Sequence, residues 1–158
     1  MTLPREKTKT QSRSRAVFIR IDTNHSRPLL ETRAANELVT LYLFNFRNQG
    51  WFELVAFVVL PKELQLIIIP REVTVNMLVA RLEEHLSPLL CPLINVQQPI
   101  WDDEIYSEPL ESAEDIKSRI QLIHAAPVRQ RLSTNPSTYD FSSANPRFQN
   151  DLDKLEQR

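Results

Sequence analysis

Gly50 is the only glycine in a chain of 158 residues. Average usage near 7% would supply roughly eleven. A GxxxxGKS/T phosphate loop, a GxGxxG dinucleotide turn and a GxSxG nucleophile elbow each need at least two glycines. None of the three can be built here, which removes the commonest nucleotide-binding and hydrolase architectures. The length suits one domain with a real core. With 42% hydrophobic and 25% charged residues, the composition is that of a soluble globular chain.

Cys91 is the single cysteine, so neither an internal disulfide nor a multi-cysteine zinc site can form. It reads as a small hydrophobe or a spectator. A catalytic thiolate needs a basic partner, and the sequence offers none nearby. This usage suits a reducing compartment, and the expected location is cytoplasmic. Residues 1–15 are polar and basic with no apolar segment, so no signal peptide is expected. The longest apolar run, residues 54–60, is too short to span a bilayer, so no membrane association is expected.

Charge is unevenly spread. Residues 1–34 carry a net +5, and the remainder carries −6. A basic arm ahead of an acidic body can contact phosphate, or it can be a solvated terminus.

The apolar spacing predicts alternating elements. Residues 1–13 hold little to bury and form a basic arm. Residues 16–22 (AVFIRID) alternate with strand period. A helix follows over 33–48, capped by Thr32, with Ala35, Leu38, Val39, Tyr42 and Phe46 on its buried face. Gly50 fits a left-handed cap just past its end. Residues 51–60 (WFELVAFVVL) read as a central strand buried on both faces. Pro61-Lys62 breaks it, and 63–69 (ELQLIII) reads as its antiparallel partner, closed by Pro70. A second helix is expected over 75–86, capped by Thr74 and ended by Pro88. Residues 88–104 read as irregular, and 105–110 as a short edge strand. A third helix starts at Ser112, with Asp115 at the capping-box position, and stops before Pro127. Residues 133–158 read as a loosely packed polar tail. The order β-α-β-β-α-β-α predicts an α+β fold with helices packed on one face of a small sheet.

Two stretches carry a family resemblance. Residues 57–69 read FVVLPKELQLIII, where single-tyrosine HUH transposases have an apolar strand, a proline turn and His-hydrophobic-His. Residues 120–132 read IQLIHAAPVRQRL, followed by YDFSSA at 139–144. The family has Tyr-x-x-x-Asn-Pro-Val-Arg there, then Tyr-x-Trp-Ser-Ser-Ala. Weaker agreement runs through 16–30 (AVFIRIDTNHSRPLL) and 100–106 (IWDDEIY). The chain thus resembles the REP-associated tyrosine transposase branch over residues 14–145. The resemblance implies a ferredoxin-like antiparallel sheet, the transposase domain over 14–132, and an ancestral role on DNA. It also implies a chemistry. Alternate residues of a strand offer two imidazoles to one divalent metal. A helix presents a tyrosine and, four residues on, a polar metal ligand. The metal polarises a DNA phosphate, which the tyrosine attacks.

This sequence departs at each of those positions. The histidine positions hold Glu63 and Gln65, the tyrosine position Leu122 and the asparagine position Ala126. Where the family continues Ala-Gly-Leu, this chain has Gln130-Arg131-Leu132. The resemblance therefore implies fold and ancestry without the enzyme activity, no catalytic residue, and an ancestral metal site that is lost. No cofactor is expected. Glu63 and Gln65 could still offer oxygens to Mg²⁺; otherwise they are polar groups on a half-exposed strand. His124 adjoins the tyrosine position but is turned about 100° from it. His25 and His85 read as surface residues, and Trp51 and Trp101 as packing anchors. Tyr42 reads as core, and Tyr106 and Tyr139 match non-catalytic parts of the pattern. Asp102-Asp103-Glu104 reads as a solvated acidic run.

Three functions stay open on this reading. An inactive transposase-like protein could still bind hairpin or single-stranded DNA, through Arg5, Lys7, Lys9, Arg13, Arg15, Arg20, Arg129 and Arg131. The fold could instead serve a protein partner or a structural role. A residual metal-dependent nuclease is the third. Of these, DNA binding without cleavage asks for the least change. The resemblance leaves monomer and homodimer both open.

Overall fold

The computed structural model describes residues 15–148 and 151. Four strands form one antiparallel sheet: β1 (Ala16–Thr23), β2 (Phe52–Leu60), β3 (Glu63–Pro70) and β4 (Trp101–Leu110). Their order across the sheet is β2-β3-β1-β4. The helices are α1 (Arg33–Asn48), α2 (Val75–His85), α3 (Ser87–Ile94) and α4 (Ala113–Arg129). The expected α+β architecture with an antiparallel sheet is what the chain forms.

The helices, however, lie on both faces of the sheet rather than on one. Ile19, Ile21, Leu64, Leu66 and Ile68 pack in one core with Val39 and Leu43 of α1, Leu78 and Leu82 of α2, and Leu90 of α3. Phe18, Val58, Ile67 and Ile69 pack in a second core with Ile123 and Ala126 of α4. The cause is visible in β2 and β3, whose residues are apolar on both sides of the pleat. A sheet face that is apolar must be covered.

β2 is fully buried, as its composition predicts, yet it is an edge strand and not a central one. The C-terminal segment, expected to be loose, covers its open edge. Val59 N donates to Phe141 O at 2.9 Å, Ser143 N to Phe57 O at 3.0 Å, and Asp151 N to Leu54 O at 2.7 Å. The Tyr139 hydroxyl donates to Val59 O at 2.6 Å, and burial pushes its pKa up to about 12. An exposed edge of this apolarity would invite pairing with another chain, and this segment satisfies its backbone groups instead.

Local chemistry explains most element ends. Thr32 Oγ1 accepts from Ala35 N, and Ser112 Oγ from Asp115 N. Thr74 stands at the start of α2 but its side chain makes no capping bond. Gly50, at φ +87, ends α1: its N–H meets Arg47 O and that of Trp51 meets Phe46 O. This double bond pattern needs the left-handed conformation glycine adopts freely. With only one glycine available, His25, Ser26, Asn95 and Arg131 carry the other left-handed positions.

Three boundaries differ from expectation. Pro88 does not close the helical region; it lies in the first turn of α3, where its missing N–H costs nothing. β4 begins at Trp101, which pairs with Thr23 of β1, and Glu83 of α2 accepts from Ile100 N and Trp101 N at 3.1 and 2.9 Å. α4 runs through Pro127 to Arg129, and Gln130 N still reaches Ala126 O. Near a helix end one lost bond is tolerable, and Pro127 is buried against the sheet. Among the described residues no helix is long and apolar enough to cross a membrane.

Candidate functional site

Glu63 and Gln65 alternate along β3 with Leu64 and Leu66, which belong to the α1 side of the sheet. Both polar side chains therefore stand on the α4 side. The strand register extends this row. Gln65 is opposite Arg20 on β1, which is opposite Tyr106 on β4; Glu63 is opposite Asp22. The Gln65 amide donates to Glu63 Oε2 at 2.9 Å.

α4 crosses above with two distinct flanks. On one flank, Arg119 lies over the Phe18 ring at 4.2 Å and pairs with Glu108 of β4 at 2.6 Å. Leu122 and Ala126 share that flank, since residues three and four apart are neighbours on a helix. Leu122 is 49% exposed, whereas Ala126 is buried. The expected shared face of Leu122 and Ala126 is thus on the side overlooking β3, β1 and β4. On the other flank His124 Nε2 lies 2.8 Å from Ser143 Oγ, over the edge of β2. His124 and Leu122 consequently serve different sides of the helix.

The charges on this face are largely matched in pairs. Arg20 meets Asp22 at 3.3 Å and lies over the Tyr106 ring at 5.5 Å. The Tyr106 hydroxyl donates to Glu108 Oε2 at 3.0 Å, and this bond holds its proton on above the ordinary phenol value. Arg15 meets Glu111 at 3.0 Å. Arg129 donates to Leu122 O at 3.1 Å, which leaves its charge unmatched. Arg131 is exposed just past the end of α4. Of the eight cations expected to contact DNA, Arg5, Lys7, Lys9 and Arg13 lie outside the described residues.

One cation was overlooked in the sequence. Lys62 is exposed in the β2–β3 turn, directly before Glu63, and makes no ion pair among the described residues. Its signal was present: a lysine following proline in the tight turn between two strands faces solvent. Trp101 is buried and Trp51 is stacked on Phe46 with centroids 4.2 Å apart, so both act as anchors. Cys91 is half-buried, and its surroundings push the thiol pKa up, against thiolate chemistry.

His124 gives a pH prediction. Burial holds its imidazole below the ordinary 6.5. The unfolded chain then takes up a proton before the folded one does, so stability falls as pH drops from 6.5 through the folded value. Urea midpoints at pH 7 and pH 5 should differ more in the parent than in His124→Gln. Equal differences would contradict this.

No family model matches the chain, and no curated protein matches it. Among solved structures, one neighbour is a REP-associated tyrosine transposase bound to a REP hairpin. It aligns with a TM-score of 0.63 at 17% identity, over 83% of this chain and 77% of that one. The fold is transposase-like.

Proposed function

We propose that this protein binds hairpin or single-stranded DNA on a transposase-like fold and does not cut it. The absence of cutting follows from the chemistry at four positions. Leu122 offers no nucleophile and Ala126 no ligand atom. Glu63 and Gln65 are engaged with each other. Among the described residues, no group of three His, Cys, Asp or Glu could hold a metal ion. These side chains do not fit the metal centre that the resemblance implies.

The binding half rests on one observation. Arg131 adopts φ +60, a conformation that suits glycine and costs a larger side chain about 1 kcal/mol. Its N–H meets Val128 O and that of Leu132 meets Pro127 O, the same bond pattern that Gly50 supplies after α1. A basic side chain kept where glycine would be more stable supports a use for that side chain. Lys62, Arg129 and Arg131, none of which pairs with a carboxylate among the described residues, give the DNA backbone its cations.

A second reading has its own support. Arg15 and Arg20 are paired with carboxylates, and residues 35–158 carry a net −6. Leu122 and Tyr106 are exposed apolar groups on the same side. That surface suits a protein partner.

Arg131→Gly separates the two. It should raise stability by up to about 1 kcal/mol and weaken hairpin binding while reducing its salt dependence. Anisotropy with a labelled hairpin and a single strand, across a salt series, reads this. No binding at low salt would overturn the DNA reading and leave the protein-partner reading.

A further inference from the structure

β4 is the second edge of the sheet, and unlike β2 it has no covering segment among the described residues. Its inner side pairs with β1, from Ala16 opposite Leu110 to Thr23 opposite Trp101. Its outer side makes no backbone bond among the described residues. The strand (WDDEIYSEPL) holds four carboxylates and no lysine or arginine. Glu108 pairs with Arg119, but Asp102, Asp103 and Glu104 meet no cation among the described residues. The basic arm joins the sheet beside this edge. Because β1 and β4 are antiparallel, the chain enters β1 at the end where β4 finishes. Arg15 meets Glu111, the residue after β4, at 3.0 Å. Residues 1–14 lie outside the described residues; they carry four cations and one carboxylate, with Arg5, Lys7 and Lys9 spaced two apart.

We infer that residues 4–11 of the arm dock along the outer edge of β4 as a parallel strand added to the sheet. Crossing the end of β4 to reach its far side takes two strand spacings, about 9–10 Å. The four steps from residue 11 to residue 15 span up to about 13 Å, which is enough. Counted back from that crossing, Arg5 comes level with Glu104, Lys7 with Tyr106 and Lys9 with Glu108. Alternate residues of a strand share a face, so the three cations form one row against the carboxylates of β4. Thr8 and Thr10 between and after them are β-branched, which suits a strand. Main-chain bonds to the added strand satisfy the open edge. The short tether holds the arm at an effective concentration of about millimolar, which favours it over a free peptide. Two β4 edges meeting each other would set like charges opposite, which disfavours a second copy. Such docking does not depend on DNA binding, and it gives three cations of the arm carboxylate partners within the fold.

The test is amide hydrogen exchange followed by NMR on the full chain, beside the triple variant Arg5→Gln, Lys7→Gln, Lys9→Gln. The outward-pointing amides of β4 between Glu104 and Glu108 should exchange about tenfold more slowly in the parent than in the variant. About 1 M salt should remove the difference. Amides of β3 should exchange alike in both, which separates docking from a change in overall stability. A nitroxide on Thr8→Cys, in a Cys91→Ala background, should broaden the signals of Glu104 to Glu108 and spare those of β2. Equal β4 exchange in parent and variant would overturn the docking and leave the carboxylates as a guard against edge pairing. Broadening centred on any other element would overturn it as well. Protection of β4 that persists in the variant and grows with protein concentration would overturn it in favour of a second copy on the edge.

Discussion

Asp151→Ala is expected to destabilise the protein by about 3 kcal/mol. The carboxylate is 1% exposed. It accepts from Arg47 Nε at 2.8 Å, from the other arginine nitrogen at 2.6 Å and from Leu54 N at 2.7 Å. Alanine would strand a partly buried guanidinium and a buried backbone donor together, and such groups cost more unpaired than their bonds contribute when made. The paired carboxylate also keeps Arg47 protonated more firmly than usual. Because Asp151 anchors the segment that covers β2, its loss should expose the edge. Urea unfolding should show a lower midpoint, and light scattering should show self-association that the parent lacks. Asp151→Asn keeps an acceptor for Leu54 N and should lose roughly half as much. A change under about 0.5 kcal/mol in the alanine variant would mean that the segment is not an integral part of the fold.

The second large effect is expected at Glu83. One of its carboxylate oxygens receives the N–H groups of both Ile100 and Trp101, which are fully buried residues at the start of β4. Removing it in Glu83→Ala leaves two donors without that acceptor, at about 1–3 kcal/mol each. A loss of about 2–4 kcal/mol follows, since solvent can reach part of the site. Glu83→Gln retains an acceptor oxygen and should stay within about 1 kcal/mol of the parent. Equal losses in the two variants would show that charge or packing, and not the acceptor, matters at this position. Amide exchange at Ile100 and Trp101 reports the same contrast directly.

Much of this fold is legible in the sequence because local rules act alone there. The spacing of Val39 and Phe46, the caps at Thr32 and Ser112, and the left-handed Gly50 each follow from short-range sterics and hydrogen bonding. The misplaced features depend on distant partners. β2 reads as central because nothing within 52–60 says that its edge is covered by Tyr139, Phe141, Ser143 and Asp151. β4 starts early because Trp101 pairs with Thr23 of β1 across a register shift, and a glutamate seventeen residues before Ile100 takes up the free N–H groups there. The helices divide between two faces because both faces of β2 and β3 are apolar, a pattern that strand alternation alone hides. The candidate site follows the same division. Strand and helix periodicity place Glu63 with Gln65 and Leu122 with Ala126, while the row of Gln65, Arg20 and Tyr106 across three strands arises only from strand register. The lone glycine has a further consequence seen only in the backbone. Among the described residues four others adopt left-handed conformations, and Arg131 is the one on which the proposed DNA contact rests.

The central claim is that the transposase-like fold persists here without strand-cutting chemistry. The most direct measurement incubates the protein with a labelled hairpin carrying single-stranded flanks, in Mg²⁺ or Mn²⁺, and resolves the products on a denaturing gel. The account predicts an intact strand and no protein–DNA adduct, because Leu122 supplies no hydroxyl to attack phosphate. A labelled band migrating with the protein, lost in Glu63→Ala, would contradict it.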